Sequence, residues 1–137
     1  MKRYLLSQDQ LKILVEDFLD QFLDGVVILR GDLASGKTTL VQEFVLALEE
    51  DSEVTSPTFS LQQIYGKKIF HYDIYNKGLE HFISLGMLEE LEKEGLHFIE
   101  WGDEKLEKLL KEAGFDVATI DIDKISPQKR EYKICIN

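Results

Sequence analysis

Residues 31–40 read GDLASGKTTL, and the interpretation of this stretch decides the fold. Two glycines bracket four residues, and a lysine and two threonines follow, giving the full spacing Gly31-x-x-x-x-Gly36-Lys37-Thr38. Just upstream, GVVILR is a short, β-branched apolar run that suits a strand buried on both faces. Downstream, Leu40, Phe44, Val45 and Leu48 recur at helical spacing. Strand, glycine-rich turn and helix are the context a phosphate cradle needs. The loop must curl round an anion with its N–H groups inward, and side chains would obstruct that curl. The helix N-terminus adds unpaired N–H groups and partial positive charge. On this reading the loop residues Gly31, Asp32, Leu33, Ala34, Ser35, Gly36, Lys37, Thr38 and Thr39 form the cradle. Lys37 reaches the β- and γ-phosphates, and the Thr38 hydroxyl is available to Mg²⁺. The competing reading is a tight strand–helix turn carrying a surface lysine.

The alternation of strand and helix continues on both sides. KRYLL reads as a short strand, and Ser7-x-x-Gln10 is a capping-box pattern. It predicts a helix over residues 8–23, with Leu11, Leu14, Val15, Phe18, Leu19 and Phe22 at helical spacing. VTSPTFSL breaks regular structure at Pro57, and SLQQIYGKKIFHYDIY reads as two strands joined by a tight turn at Gly66-Lys67. Residues 78–94 read as helical with an interruption near Gly86, and LHFIEW as another apolar strand. Asp103 can cap a helix that runs through Glu112 and stops at Gly114. DVATIDI and REYKICI read as C-terminal strands. The expectation is an α/β protein: a single P-loop NTPase-like domain over residues 1–137, with a mixed, mostly parallel central sheet, helices on both faces and antiparallel C-terminal strands.

Composition narrows the function. The chain of 137 residues is 44% hydrophobic and 31% charged, enough for one domain with a real core. Its net charge of −10 repels phosphates, which argues against direct nucleic-acid binding by this chain alone. No apolar run has the length of a membrane span, and the apolar run after the basic start MKR is too short for a signal peptide. The single Cys135 can make no internal disulfide, so the expected compartment is the cytoplasm.

A nucleoside triphosphatase also needs a carboxylate for Mg²⁺ and a group that orients water. Asp73 follows KIFHY and Glu100 follows LHFI, so in each case an apolar run delivers one acid to the sheet edge. Which acid takes the metal and which the water is open at this level. In TSPTF, Thr58, with Ser56 next, is placed to meet metal or γ-phosphate, and Pro57 holds the segment extended. A turn hydroxyl bonded to its own backbone is the alternative there. His71 reads as structural, and His81 and His97 have no metal-ligand spacing with it. Trp101 suits stacking on a base or partner as well as core packing, and LEELEKEG suits a solvated helix face. NKGL at 76–79 begins the guanine-reading Asn-Lys-x-Asp pattern, but Leu79 stands where the aspartate belongs, which favours ATP. The only arginines are Arg3, Arg30 and Arg130. The absence of a lid arginine argues against a small-molecule kinase and for slow intrinsic hydrolysis that depends on a partner.

Four motifs then align with one family. GDLASGKTTL resembles the GDLGAGKTT loop of the TsaE family, with Ala34-Ser35 in place of Gly-Ala. TSPTF resembles its SPTY/F segment, FHYDIYN its HFDLYR segment and FIEW its hydrophobic-Glu-Trp segment. Their order matches, and the resemblance spans essentially the whole chain. It implies a small bacterial ATPase required for threonylcarbamoyladenosine synthesis in tRNA, acting with TsaD and TsaB and meeting tRNA only through them. It implies that Lys37 and the loop bind ATP, that Thr38 and Glu100 hold Mg²⁺ with Asp73 beside them, and that Thr58 belongs to a nucleotide-responsive loop. It also implies that the base lies near Leu6, Ser7 and Gln8, and near Trp101. Asn76 replaces the family's usual arginine, and Gly102 stands where proline is common. An ATP-sensing adaptor that does not hydrolyse its nucleotide is the alternative from another functional class.

Overall fold

The computed structural model describes residues 1–32, 36–48, 54–55, 62–74, 78–84, 86–101 and 103–136. Chain order is β1 (Lys2–Leu6), a 3₁₀ turn (Gln8–Gln10), α1 (Leu11–Leu19), β2 (Gly25–Arg30), α2 (Lys37–Ala47) and β3 (Val54–Thr55). There follow β4 (Gln62–Tyr65), β5 (Ile69–Asp73), α3 (Gly78–Ser84), α4 (Met87–Glu90), β6 (Leu96–Glu100), α5 (Glu104–Glu112), β7 (Val117–Lys124) and β8 (Arg130–Ile136). The eight strands form one sheet in the order β1-β8-β7-β2-β6-β5-β4-β3. Its centre is parallel: β2 pairs with β6 and with β7, and β5 with β6. Antiparallel strands extend both flanks, the expected β7–β8 pair with β1 on one side and β5–β4–β3 on the other.

Alternation along β2 shows why a wholly apolar strand belongs at the centre. Val27 and Leu29 face one core with Leu14, Phe18, Leu40 and Phe44 from α1 and α2. Val26 and Ile28 face a second core with Phe82, Met87, Leu106 and Leu110 from α3, α4 and α5. Each such side chain, fully buried, contributes roughly 1.5–3 kcal/mol. In the first core, the Phe44 ring lies 5.3 Å from Phe18 and 4.9 Å from Phe98, so it bridges α1, α2 and β6. Phe44→Ala would leave a cavity between three elements, and chemical denaturation should show a loss of about 3–5 kcal/mol.

The helical expectations change at their ends. Gln10 does reach back to Ser7, its Oε1 accepting from the Ser7 backbone N–H at 3.0 Å. The first turn is nevertheless 3₁₀, and α1 stops at Leu19, short of residue 23. Phe22 still reaches the core from the following turn, which is why helical spacing overstates the helix. Gly86, at φ 76°, divides the 78–94 segment into α3 and α4. Asp103 caps α5 as expected, accepting from Leu106 N at 2.9 Å. The two-residue β3 was not anticipated; its register against Tyr65 and Ile64 is a tertiary pairing with no periodicity to reveal it. Gly95, at φ 132°, lets β6 begin beside the β4–β5 turn: a Cβ there would lie 2.3 Å from the Lys68 carbonyl oxygen.

Candidate functional site

The site lies where the chain leaves the parallel strands. After β2 it turns to α2, which packs on the first core; after β6 it turns to α5, which packs on the second. Neighbouring strands that exit to opposite faces open a crevice at their carboxyl ends, the place where open α/β sheets bind ligands. Gly31, Asp32 and the start of α2 stand at the β2 side of that crevice, and Glu100 and Trp101 at the β6 side.

Gly36 caps α2 with φ 101°, and a Cβ there would lie 3.5 Å from Arg130 Nε. The positive φ is what calls for glycine here, since a Cβ at that distance would make only ordinary van der Waals contact. Lys37 is buried, only 4% exposed. Its Nζ donates to the carbonyls of Gly31 at 2.7 Å and Asp32 at 3.0 Å, and sits 3.8 Å from the centroid of the Trp101 ring. Burial pushes the Lys37 ammonium below its ordinary pKa; Glu100, Asp73 and Asp32 oppose that by favouring the charge. Trp101 adopts φ 69°, a left-handed conformation that costs a non-glycine residue about 1–3 kcal/mol. The ring is thereby turned under the lysine.

Strand alternation gathers the acids. On β5, His71 and Asp73 follow Ile69 at steps of two, so they share the α2 face of the sheet; on β6, Glu100 follows Leu96 and Phe98 in the same way. Asp73 and Glu100 are register partners on adjacent strands, and Glu100 is also the partner of Leu29. Glu100 is buried and hydrogen-bonded through Oε2 to His71 Nε2, whereas Asp73 is exposed. Tyr65 lies near enough for Glu100 to reinforce the rise in its pKa, which comes first from burial.

A cavity of about 300 Å³ adjoins the loop, lined by Gly36, Lys37, Thr38, Thr39 and Glu100 on one side and by Gln8, Leu11 and Arg130 on the other. Sequence order hid Arg130, which enters because β8 lies next to β7 on the side of β2 away from Asp73. Ser7 is turned inward on its own helix start, while Leu6 belongs to the first core. Trp101 lines a separate hollow with Arg30, Gly31, Asp103 and Glu104, so the candidates for a base fall on two sides of the loop. His71 is the residue the sequence undervalued: it is held against a candidate catalytic acid, and its place two residues before Asp73 was the available signal. Leu33, Ala34, Ser35, Ser56, Pro57, Thr58, Asn76 and Gly102 lie outside the described residues.

Magnesium is a group these residues fit. Among the described residues, no set of three or more His, Cys, Asp or Glu side chains converges to hold a metal unaided. Thr38 and Glu100 line one cavity beside the glycine-rich loop, and a hydroxyl with one or two carboxylates is a donor set that suits an ion which keeps several waters.

The fold and the loop at its carboxyl edge define a P-loop NTPase-like α/β protein. The family model described as "Threonylcarbamoyl adenosine biosynthesis protein TsaE" matches residues 5–132, and the chain belongs to that family. It is 35% identical over 113 residues to the tRNA threonylcarbamoyladenosine biosynthesis protein TsaE of Treponema pallidum, covering 80% of this chain and 81% of that one. Against the proteins of the same name from Haemophilus influenzae and Rickettsia typhi, identity is 35% over 92 residues and 39% over 85. Those matches cover 64% and 58% of this chain and 58% of each relative. The crystal structure of Bacillus subtilis YdiB superposes with a TM-score of 0.69 at 20% identity, covering 99% of this chain and 86% of that one, a likeness of fold.

Proposed function

We propose that this protein is an ATPase subunit of the machinery that makes threonylcarbamoyladenosine in tRNA, binding ATP with Mg²⁺ and hydrolysing it in complex with TsaD and TsaB. The observation that carries the reading is the convergence of Lys37, the α2 N-terminus and Glu100 on one crevice. Lys37 and the loop N–H groups hold the phosphates. Thr38 and Glu100 hold the cation, with Asp73 on the next strand as the second acid. A bound Mg²⁺ would supply neutralisation of phosphate charge. Thr58 belongs to the nucleotide-responsive loop. The cavity side that carries Gln8, Leu11 and Arg130 receives the base end. The net charge of −10 leaves tRNA to the partners, and the cytoplasm is the expected compartment.

Partner dependence has a geometric support. Arg130 reaches the loop from the β8 side, whereas Asp73 stands beyond β6 on the opposite side. None of the three arginines lies on a strand beyond β6, where Asp73 stands, although Arg130 shares the cavity with Glu100. A positive group supplied in trans can be worth a factor of about 10³–10⁵. Turnover by the isolated protein should therefore be slow and should rise at least tenfold on adding TsaD and TsaB. Phosphate release measured with and without the two partners checks this. Fast turnover by the isolated chain refutes partner dependence; nucleotide-dependent assembly without phosphate release would instead identify an ATP-sensing adaptor.

A further inference from the structure

The buried pair His71–Glu100 assigns a role to a residue outside the cradle. We propose that His71 is a positioning residue: by donating its Nε2–H to Glu100 Oε2, it holds that carboxylate in the orientation that binds Mg²⁺ beside the phosphate loop. The inference rests on the nucleotide reading above and adds to it the group that sets the geometry of its metal ligand.

Three observations carry it. First, both partners are more than nine-tenths enclosed, His71 at 4% exposure and Glu100 at 6%. A buried carboxylate needs hydrogen-bond donors to offset its lost hydration, and His71 supplies one. Second, His71 Nδ1 is buried and has no hydrogen-bond partner among the described residues. A proton placed there would be an orphaned donor, so the arrangement favours the proton on Nε2, where Glu100 accepts it. Third, the donor is rigidly placed. His71 is in the middle of β5 with Phe98 of β6 as its register partner, so the imidazole is carried by the same parallel pairing that carries Glu100.

Geometry also separates the two acids. With Oε2 engaged by the imidazole, Oε1 is the oxygen left to a cation, and Glu100 lines the cavity beside the loop. Asp73 stands one residue beyond the strand's last buried position and is exposed. Carboxylates that bind metals are themselves steadied by hydrogen bonds, and loss of such a partner typically costs about 10–100-fold in metal affinity or activity.

The test compares His71→Gln with His71→Met. Both replacements approximate the volume of histidine, but only glutamine retains an N–H donor at the far end of the side chain. Affinity for a non-hydrolysable ATP analogue is measured by calorimetry in Mg²⁺ and in EDTA, for both variants and the wild type, with thermal melts alongside. His71→Met should lose about tenfold in Mg²⁺ and change less than twofold in EDTA, whereas His71→Gln should stay within about threefold of wild type in both. Equal losses in Mg²⁺ and EDTA would make His71 merely structural and overturn the proposal. So would wild-type affinity in His71→Met, or a glutamine variant as impaired as the methionine one. A wild type that binds the analogue equally well with and without Mg²⁺ would instead remove the metal reading, and this inference with it. A wild type that binds no analogue at all would remove the nucleotide reading itself.

Discussion

Lys37→Ala should abolish detectable nucleotide binding, and turnover with it, while the protein stays folded. The Lys37 Nζ lies within the loop itself, bonded to the Gly31 and Asp32 carbonyls. Around it stand Glu100, Asp73 and Asp32. Without the ammonium, a triphosphate would meet three acids opposed, among the described residues lining the cavity, by Arg130 alone. One or two hydrogen bonds to a charged group, at about 1.5–3 kcal/mol each, correspond to a loss on the order of 10²–10³-fold in affinity. The fold should be indifferent. Helix α2 is anchored by Leu40, Val41, Phe44 and Val45, and the freed loop carbonyls can turn to water. Burial already works against the lysine's charge, so removing it relieves a cost as well as a contact. Calorimetric titration with an ATP analogue and a thermal melt check the two halves. Binding within tenfold of wild type would show that the phosphates sit elsewhere; a collapsed melt would show that Lys37 is structural.

The parts of this site that were legible in the sequence are those fixed by local pattern. GVVILR needs two apolar faces and obtains them between two cores. The glycine spacing places Lys37 at the first position of α2. Asp73 and Glu100 were visible as acids ending apolar runs, and parallel pairing brings them into register. Features set by distant pairing were not legible. Arg130 is 94 residues from Gly36 in sequence, and only the order β8-β7-β2 brings it to the loop. The turned backbone of Trp101 accompanies a seat beneath Lys37, a contact that no dipeptide pattern encodes. His71 falls between the two cases. Alternation alone puts it on the same face as Asp73, but its contact with Glu100 needs the β5–β6 pairing as well.

Glu100→Gln should leave the nucleotide bound and remove most of the partner-stimulated turnover. Glutamine keeps the volume of the side chain and an oxygen that can accept from His71 Nε2, so the buried site should remain filled and hydrogen-bonded. What disappears is the negative charge that holds a cation. Phosphate binding through the loop and Lys37 does not depend on that charge, and removing an acid near the phosphates weakens repulsion, so affinity in EDTA should hold or rise, while affinity in Mg²⁺ should fall by about tenfold or more, as for His71→Met. The chemical step does depend on it. A metal contributes several kcal/mol to stabilising charge in the transition state, and at about 1.4 kcal/mol per tenfold its loss corresponds to roughly 10²–10³ in rate. Asp73→Asn should be milder and should leave the Mg²⁺ concentration for half-maximal turnover unchanged, because Asp73 is exposed on the neighbouring strand while Glu100 is enclosed beside the loop. Measuring phosphate release against Mg²⁺ for both variants, with TsaD and TsaB present, distinguishes the acids. Near-normal turnover in Glu100→Gln, with Asp73→Asn the inactive one, would transfer the metal to β5 and leave the His71–Glu100 pair as part of the core.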